Sequence, residues 1–347
     1  MAQFSGEQVL AELESLIPDL PAAVLSLLKQ IPAGQVTTYG DLARALGDDQ
    51  ARSARWLGEF LKNHAHDDHC PCHRVVRSNG DVGLSLCGDP HRKAGQLRRE
   101  GVNVSLSGRV ELSHRKVAFE SGRPLAHLKS FQRNLAARVT LLPLTQRPLT
   151  VAGLDVAYPD PQTACAAYVL LNAQTLQTEW EFTLLQPVRF PYIPGYLTFR
   201  ELPILLELCR QVAALGKLAD LLMIDGNGQL HPWRAGIATC LGVALNQPAI
   251  GISKSLLCGR VLSPSTPDAV PLIQFKDEII GAAIHPSGTR SPFYVSAGHR
   301  ITLPEAVDLA GEWTRQRKLP EPVFLADRLS KQAKRQQASP KRRVKDS

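Results

Sequence analysis

Residues 149–187 constrain the fold of this chain more than any other stretch, because they hold three strand candidates in succession, at 149–158, 164–172 and 178–187. The pattern then alternates: a helix over 196–215, a strand over 220–225, a helix over 233–245 and a strand over 248–253. Further strands are expected near 278–285 and 292–297, with a helix from about 303 to 316. Consecutive strands followed by helix–strand alternation predict an α/β or α+β sheet with helices on both faces. At 347 residues the chain exceeds what one hydrophobic core usually fills, so a second domain is expected.

The N-terminal third follows a different pattern. Pro18 and Asp19 separate helices expected at 6–16 and 20–30, and IPAGQ makes a turn after them. Thr38 with Asp41 three residues on is a capping-box pattern that opens a short helix through Leu46. A second helix over 50–63 carries Leu57, Phe60 and Leu61 on one face, and Arg52, Arg55, Glu59 and Lys62 on the other. Asn79-Gly80 between apolar runs marks a hairpin turn. Helix, turn, helix and hairpin describe a winged helix-turn-helix, which grips duplex DNA in some proteins and is a plain helical domain in others. FESGRPL, residues 119–125, has little periodicity and reads as a linker, ahead of a helix at 126–141.

The net charge is +8, and residues 329–347 hold seven Lys+Arg against one Asp. This tail is expected to be disordered, either as a solubilising extension or as an arm for a polyanion. No signal-peptide pattern opens the chain and no apolar run is long enough to span a bilayer, so a cytoplasmic location is expected. Seven cysteines, scattered through apolar segments, suit reduced thiols.

NHAHDDHCPCHRVV, residues 63–76, packs four histidines, two cysteines and two aspartates into fourteen positions. As a metal site, Cys70 and Cys72 share one face of an extended segment, with His64, His66, His69 and His73 close by. Cys-x-Cys without a second cluster departs from the structural zinc pattern, and the Pro-Cys-x-x-Cys of zinc deaminases is absent. As a reactive thiol, Cys72 has a neighbouring imidazole and guanidinium that favour the thiolate. Residue types and spacing alone leave both open.

IPAGQVTTYGDLARALG, ARWLG, PCHRVVRSNG and the helix ending RREGV, within residues 24–103, resemble the active-site domain of the O6-alkylguanine-DNA alkyltransferases. The resemblance implies that Cys72 accepts an alkyl group irreversibly, once per molecule, while His73, oriented by Glu100, draws its proton through a water. It also implies that Tyr39 presses on the phosphate 3′ to the lesion and that Arg55 enters the stack where the flipped base leaves. HAHDDHC stands where that family carries Asn-Pro and an apolar strand, and VGLSLCGD offers no aromatic residue to cover the base.

Further along, Asp155 interrupts an apolar strand in TVAGLDVAY, Asp225 ends another in LLMIDGNG, and Glu201 begins a helix in TFRELP. Carboxylates at strand ends and a helix start can converge over a sheet, and hard oxygen ligands favour Mg²⁺, with Mn²⁺ as the alternative. RFPYIPGYLTFRELP, DGNGQLHPWRAGIATCLGVALNQPAIGISKSLL and YVSAGHRI resemble endonuclease V, over about residues 127 to 318. The resemblance implies a ribonuclease H-like fold and cleavage of deoxyinosine-containing DNA at the second phosphodiester bond 3′ to the lesion. By it, Asp155 and Asp225 hold the metal, Glu201 completes the acidic set, and His299 sits at the metal site or handles a proton. Pro191, Tyr192, Ile193 and Pro194 form a wedge, in which Tyr192 fills the gap left by the flipped base and the prolines stiffen the loop. Gly226, Gly228 and His231 line the lesion pocket, and Lys254 lies near the scissile phosphate.

These readings combine into a monomeric, multidomain α+β and α/β DNA repair protein. A winged helix-turn-helix alkyltransferase-like domain is expected over 1–118, a linker over 119–126, a ribonuclease H-like endonuclease V domain over 127–328 and a basic disordered tail over 329–347. The expected partner is double-stranded DNA containing deoxyinosine or O6-alkylguanine, and no membrane. Two alternatives accompany it: an N-terminal domain that binds lesions without alkyl transfer, and a nuclease that acts on inosine RNA.

Overall fold

The computed structural model describes residues 6–65, 70–83, 90–264, 266, 269–289, 291–315 and 317–338. The expectations that involve His66, His69, the 84–89 loop and residues 339–347 lie outside the described residues. The chain forms two compact units, one of Met1–Ser15, Phe131–Phe190 and Leu197–Ser347, the other of Leu16–Ser130 and Pro191–Tyr196. Helix α1 (Gly6–Leu16) thus falls, up to Ser15, with the larger unit.

In the smaller unit, α2 (Leu20–Leu28) opens where the Asp19 carboxylate accepts a hydrogen bond from Ala22 N. Helix α3 (Tyr39–Ala45) starts on the expected capping box: Thr38 Oγ1 accepts from Asp41 N at 3.1 Å, and Asp41 Oδ2 accepts from Thr38 N at 3.3 Å. Helix α4 (Ala54–Asn63) begins four residues later than the apolar spacing predicts. Ala51 adopts a φ of 53°, and the Asp48 carboxylate takes the Ser53 N–H at 2.7 Å, so this stretch becomes a side-chain-stabilised turn. Strands β1 (Thr37–Thr38) and β2 (Val75–Val76) pair in parallel, and α5 (Pro90–Arg99) follows. Asn79-Gly80 does make a tight turn, with Gly80 at φ 81°. The expected hairpin ladder is replaced by isolated bridges, Asp81 to Arg109 and Val104 to Val110. Val36, Val76, Val82, Leu97, Val104 and Val110 close the core beneath them.

Helix α6 (Pro124–Ala136) starts inside the stretch read as linker, because Pro124 suits a first helical turn, and it ends well before residue 141. The larger unit is built on β3 (Thr150–Asp160), β4 (Thr163–Asn172), β5 (Thr178–Pro187), β6 (Leu221–Asp225), β7 (Ala249–Ser253), β8 (Arg260–Val261), β9 (Leu272–Phe275), β10 (Glu278–Ile284) and β11 (Phe293–His299). They form one nine-stranded sheet in the order β5-β4-β3-β6-β7-β11-β10-β9-β8. Only β3–β6 and β6–β7 are parallel. Helices α7 (Leu197–Ala214), α8 (Ile237–Leu245), α9 (Leu303–Glu312) and α10 (Glu321–Ala338) complete the unit. The short strands β9 and β8, the latter at the sheet edge, lie outside the expected strands; β8 is exposed and leaves little apolar pattern to read. No helix of the described residues is long and apolar enough to cross a membrane.

Helix α10 corrects the reading of residues 329–347 as wholly disordered. Its apolar side, Val323, Leu325 and Ala326, is buried in the same core as Trp313, and Leu329 packs against that core. Burial of this narrow stripe orders a segment whose charge content alone suggests disorder. The helix crosses β3 at Gly153, where an added Cβ would lie 1.9 Å from Pro322 O, so the close approach requires glycine.

Candidate active sites

Parallel pairing sets up the acidic cluster. Leu154 on β3 lies opposite Ile224 on β6, so Asp155 and Asp225 follow at the same level of adjacent strands. Helix α10 adds a third carboxylate: one oxygen from each of Asp155, Asp225 and Asp327 lies within 4.8 Å of the others. The strand period of two puts Asp155 on the same face of β3 as Gly153, and from α10 Ser330 Oγ donates a hydrogen bond to Asp155 Oδ2. Lys254, just past β7, holds Nζ 2.6 Å from Asp225 Oδ2 and 2.9 Å from Asp327 Oδ1. Lys331 Nζ lies 2.6 Å from Asp327 Oδ2.

Protonation reflects this crowding. Burial first, and Asp225 next, push the Asp155 carboxyl up to about 6. Burial acts on Asp327 the same way, but hydrogen bonds from Lys331 and Lys254 outweigh it and hold that carboxyl below the usual range. Burial, then Asp155, raises Glu201 to about 8, and Glu201 Oε1 accepts from Tyr158 OH at 3.2 Å. Glu201 therefore feels the cluster, and Asp327 adds a carboxylate at ligand distance from Asp155 and Asp225. No local pattern singles Asp327 out, since FLADRLS reads as a solvated helix turn.

In the smaller unit, Cys72 sits in a 3₁₀ turn, Pro71–Arg74, and is only 5% exposed. It lines a cavity of about 410 Å³ together with Tyr39, Arg55, His73 and Lys93. His73 Nε2 lies 2.8 Å from Glu100 Oε1, within hydrogen-bond reach. Arg74 donates to both Glu100 oxygens, at 2.9 and 2.7 Å, and to Ile31 O at 2.6 Å. Burial opposes ionisation of Glu100, yet these hydrogen bonds from Arg74 and His73 keep its carboxyl low.

The expectation that imidazole and guanidinium favour a Cys72 thiolate is not met. His73 Nδ1 faces Cys70 O at 3.3 Å, and Arg74 is engaged by Glu100 and Ile31. Burial, then Cys70, pushes the Cys72 thiol up to about 12; the cation that acts against this is Lys93. Lys93 donates to Val75 O at 2.6 Å, and burial lowers its ammonium to about 8. No local pattern in DPHRKAG singles Lys93 out, since only folding brings α5 beside the Pro71–Arg74 turn.

Residues 133–328 match the family described as Endonuclease V, and residues 19–102 match the 6-O-methylguanine DNA methyltransferase, DNA binding domain. The chain is 35% identical over 293 residues to the Bifunctional methyltransferase/endonuclease of Picrophilus torridus, across 84% of this chain and 89% of that protein. The chain belongs to the endonuclease V family. It is 40% identical over 210 residues to Endonuclease V of Xanthomonas campestris pv. campestris, covering 59% of this chain and 87% of the relative. The crystal structure of human ENDOV superposes with a TM-score of 0.57 at 32% identity, over 62% of this chain and 99% of that one. The chain is accordingly a DNA repair endonuclease with an alkyltransferase-like N-terminal domain.

The remaining endonuclease V positions separate by their surroundings. Tyr192 is 64% exposed, whereas Ile193, expected in the wedge, is fully buried. Tyr196 N donates to Ile193 O at 2.9 Å, closing a turn through Gly195 at φ 83°. Gly228 N donates to Ser296 Oγ at 2.9 Å, and a Cβ there would lie 2.3 Å from Ala297 O. A Cβ on Gly226, whose N bonds Ile252 O at 2.6 Å, would lie 2.3 Å from Ile237 Cγ2, so packing of this loop against α8 and β11 already accounts for both glycines. His231 is buried, with its ring edge-on to Trp233 and its Nδ1 accepting from Trp233 N at 3.3 Å.

His299 is not brought to the acidic cluster. It pairs with Ala249, level with Leu222, while Asp225 is level with Ile252 and Val295. At about 3.3 Å per residue, that places His299 about 10 Å along the strands from Asp225, besides the separation across β7. Antiparallel β11 carries its C-terminal histidine to the opposite end of the sheet. There His299 Nδ1 accepts from Thr140 N at 3.2 Å, and Nε2 lies 3.4 Å from Asn246 Oδ1.

Proposed function

We propose that the larger unit cuts the second phosphodiester bond 3′ to deoxyinosine in double-stranded DNA with Mg²⁺, and that the smaller unit transfers the alkyl group of O6-alkylguanine to Cys72. The convergence of Asp155, Asp225 and Asp327 carries the nuclease reading. Their hard oxygens fit Mg²⁺, and equally Mn²⁺, and the Lys254 ammonium seated against two of them is a stand-in for a cation. Bound there, the ion supplies charge neutralisation and an acidified water. Ser330 fixes the orientation of Asp155, and Lys254 offers an ammonium to an anionic phosphate. Tyr192, the exposed tip of the turn, supports a role in filling the space of a flipped base.

The test is strand nicking of a duplex carrying one deoxyinosine. Mg²⁺-dependent nicking that drops by about 10²-fold or more in Asp225→Ala supports the reading. Full activity in EDTA, or in that variant, removes it. Faster cutting of a matched inosine RNA would move the substrate to RNA.

For alkyl transfer, the Cys72 sulfur bonds the alkyl carbon as the carbon–O6 bond breaks and guanine leaves with the electron pair. The thiol proton passes through a water to His73, which Glu100 holds in place. The buried, protonated thiol favours a second reading, lesion binding without transfer. Incubation with O6-methylguanine DNA followed by peptide mass analysis separates them: Cys72 gains a methyl group, or stays unmodified while DNA is retained.

A further inference from the structure

We propose that His64, Cys70 and Cys72 form a site for one thiophilic divalent cation, represented by Zn²⁺, and that its occupancy withholds Cys72 from alkyl transfer. His64 Nε2 lies 3.3 Å from Cys70 Sγ, and the ligand atoms of all three residues lie within 4.8 Å of one another. Tetrahedral zinc, with Zn–S near 2.3 Å and Zn–N near 2.0 Å, needs N–S separations of about 3.5 Å and an S–S separation of about 3.8 Å. The His64–Cys70 separation of 3.3 Å already stands near the first value, and the 4.8 Å bound leaves the others within about 1.3 Å of theirs.

The histidine is already oriented as a ligand. Its Nδ1 lies 2.9 Å from Leu61 O, which only accepts, so Nδ1 carries the ring hydrogen and Nε2 directs its lone pair at Cys70. Metal-bound histidines characteristically tie their second nitrogen to a carbonyl or carboxylate in this way. His64 stands at the end of α4, where its N–H bonds Phe60 O at 2.8 Å and its ring stacks on Phe60 at 5.5 Å between centroids. On the other side, Pro71 and the 3₁₀ turn fix the two cysteines, with Cys72 Sγ 3.8 Å from Cys70 O.

Binding converts two thiols to thiolates and releases two protons to solvent, leaving a fourth position on the cation that the described residues do not fill. Two sulfurs and an imidazole select Zn²⁺, whereas the three carboxylates of the larger unit select Mg²⁺, so the two sites take different ions. The withholding rests on the alkyl-transfer reading, in which His73 takes the thiol proton as Cys72 attacks: a sulfur that shares its electron pair with a cation attacks carbon more slowly than the thiolate so formed. The site itself does not rest on it.

Reduced full-length protein titrated with Co²⁺ alone tests the site, because thiolate-to-cobalt absorption in the near ultraviolet reports sulfur ligation and is silent at carboxylates. One equivalent of this band is expected, displaced by Zn²⁺, lost in Cys70→Ser, and shifted to about 10–100-fold weaker affinity in His64→Ala. Thermal melts of both variants confirm folding. No band in the wild type, or an undiminished band in Cys70→Ser, overturns the site. For the withholding, Zn²⁺-loaded and Zn²⁺-free proteins are given O6-methylguanine DNA and the Cys72 peptide is weighed over time. Methyl gain slowed about tenfold by Zn²⁺ in the wild type but not in Cys70→Ser supports it; equal rates overturn it. If neither state gains methyl, the alkyl-transfer reading fails, and with it the withholding, while the cobalt titration still decides the site.

Discussion

Ser330 Oγ donates a hydrogen bond to Asp155 Oδ2 across 175 residues of sequence, tying the last described helix to the strand that carries the first carboxylate of the acidic cluster. Ser330 is fully buried, and on the same helix Asp327 reaches the cluster itself. Truncation after residue 328 is therefore expected to abolish Mg²⁺-dependent nicking, while truncation after residue 338 leaves it intact. Ser330→Ala should weaken apparent Mg²⁺ affinity about tenfold with the maximal rate retained, read from nicking against Mg²⁺ concentration.

Gly153→Val should act through α10. Its Cβ would collide with Pro322 O at 1.9 Å, a backbone atom that cannot rotate away. Displacement of α10 is expected to cost about 1–3 kcal/mol in urea denaturation and to lower nicking in parallel.

His299 supplies a pH dependence of stability. Burial, with Arg300 adding to it, lowers its imidazole from 6.5 to about 4. The unfolded chain thus binds the proton more readily, so stability falls as pH drops through 6.5, and the penalty is complete below about 4. His299→Asn should flatten this slope in urea midpoints measured between those values. Because His299 lies at the far end of the sheet from Asp225, the same variant should keep nicking within about threefold.

Glu100→Gln weakens the pairing with both His73 and Arg74. Methyl gain at Cys72 should slow by about 10²-fold while lesion DNA binding persists, measured by peptide mass and by a binding titration. The pH profile of methyl gain should change with it, since His73 would lose the partner that fixes its ring. Loss of DNA binding instead would assign Glu100 to the framework alone.

Local pattern determined much of this protein. The strand-period runs gave β3 to β7 to within a few residues, because alternation and apolar length record burial directly. Thr38 and Asp41 marked a helix start through chemistry contained in four residues, and Asp155 and Asp225 stood out as charges inside apolar strands. Tertiary structure alone decided which groups meet. Helix α10 folds because a thin apolar stripe finds the face of β3, which brings in Asp327 and Ser330; its composition argues for disorder. The polarity of β11 sends His299 away from the acids, and a strand's direction is not written in its own residues. His64 reaches Cys70 only where the end of α4 meets the Pro71 turn, so the dense run of ligand residues becomes a three-atom cluster through packing, not through spacing.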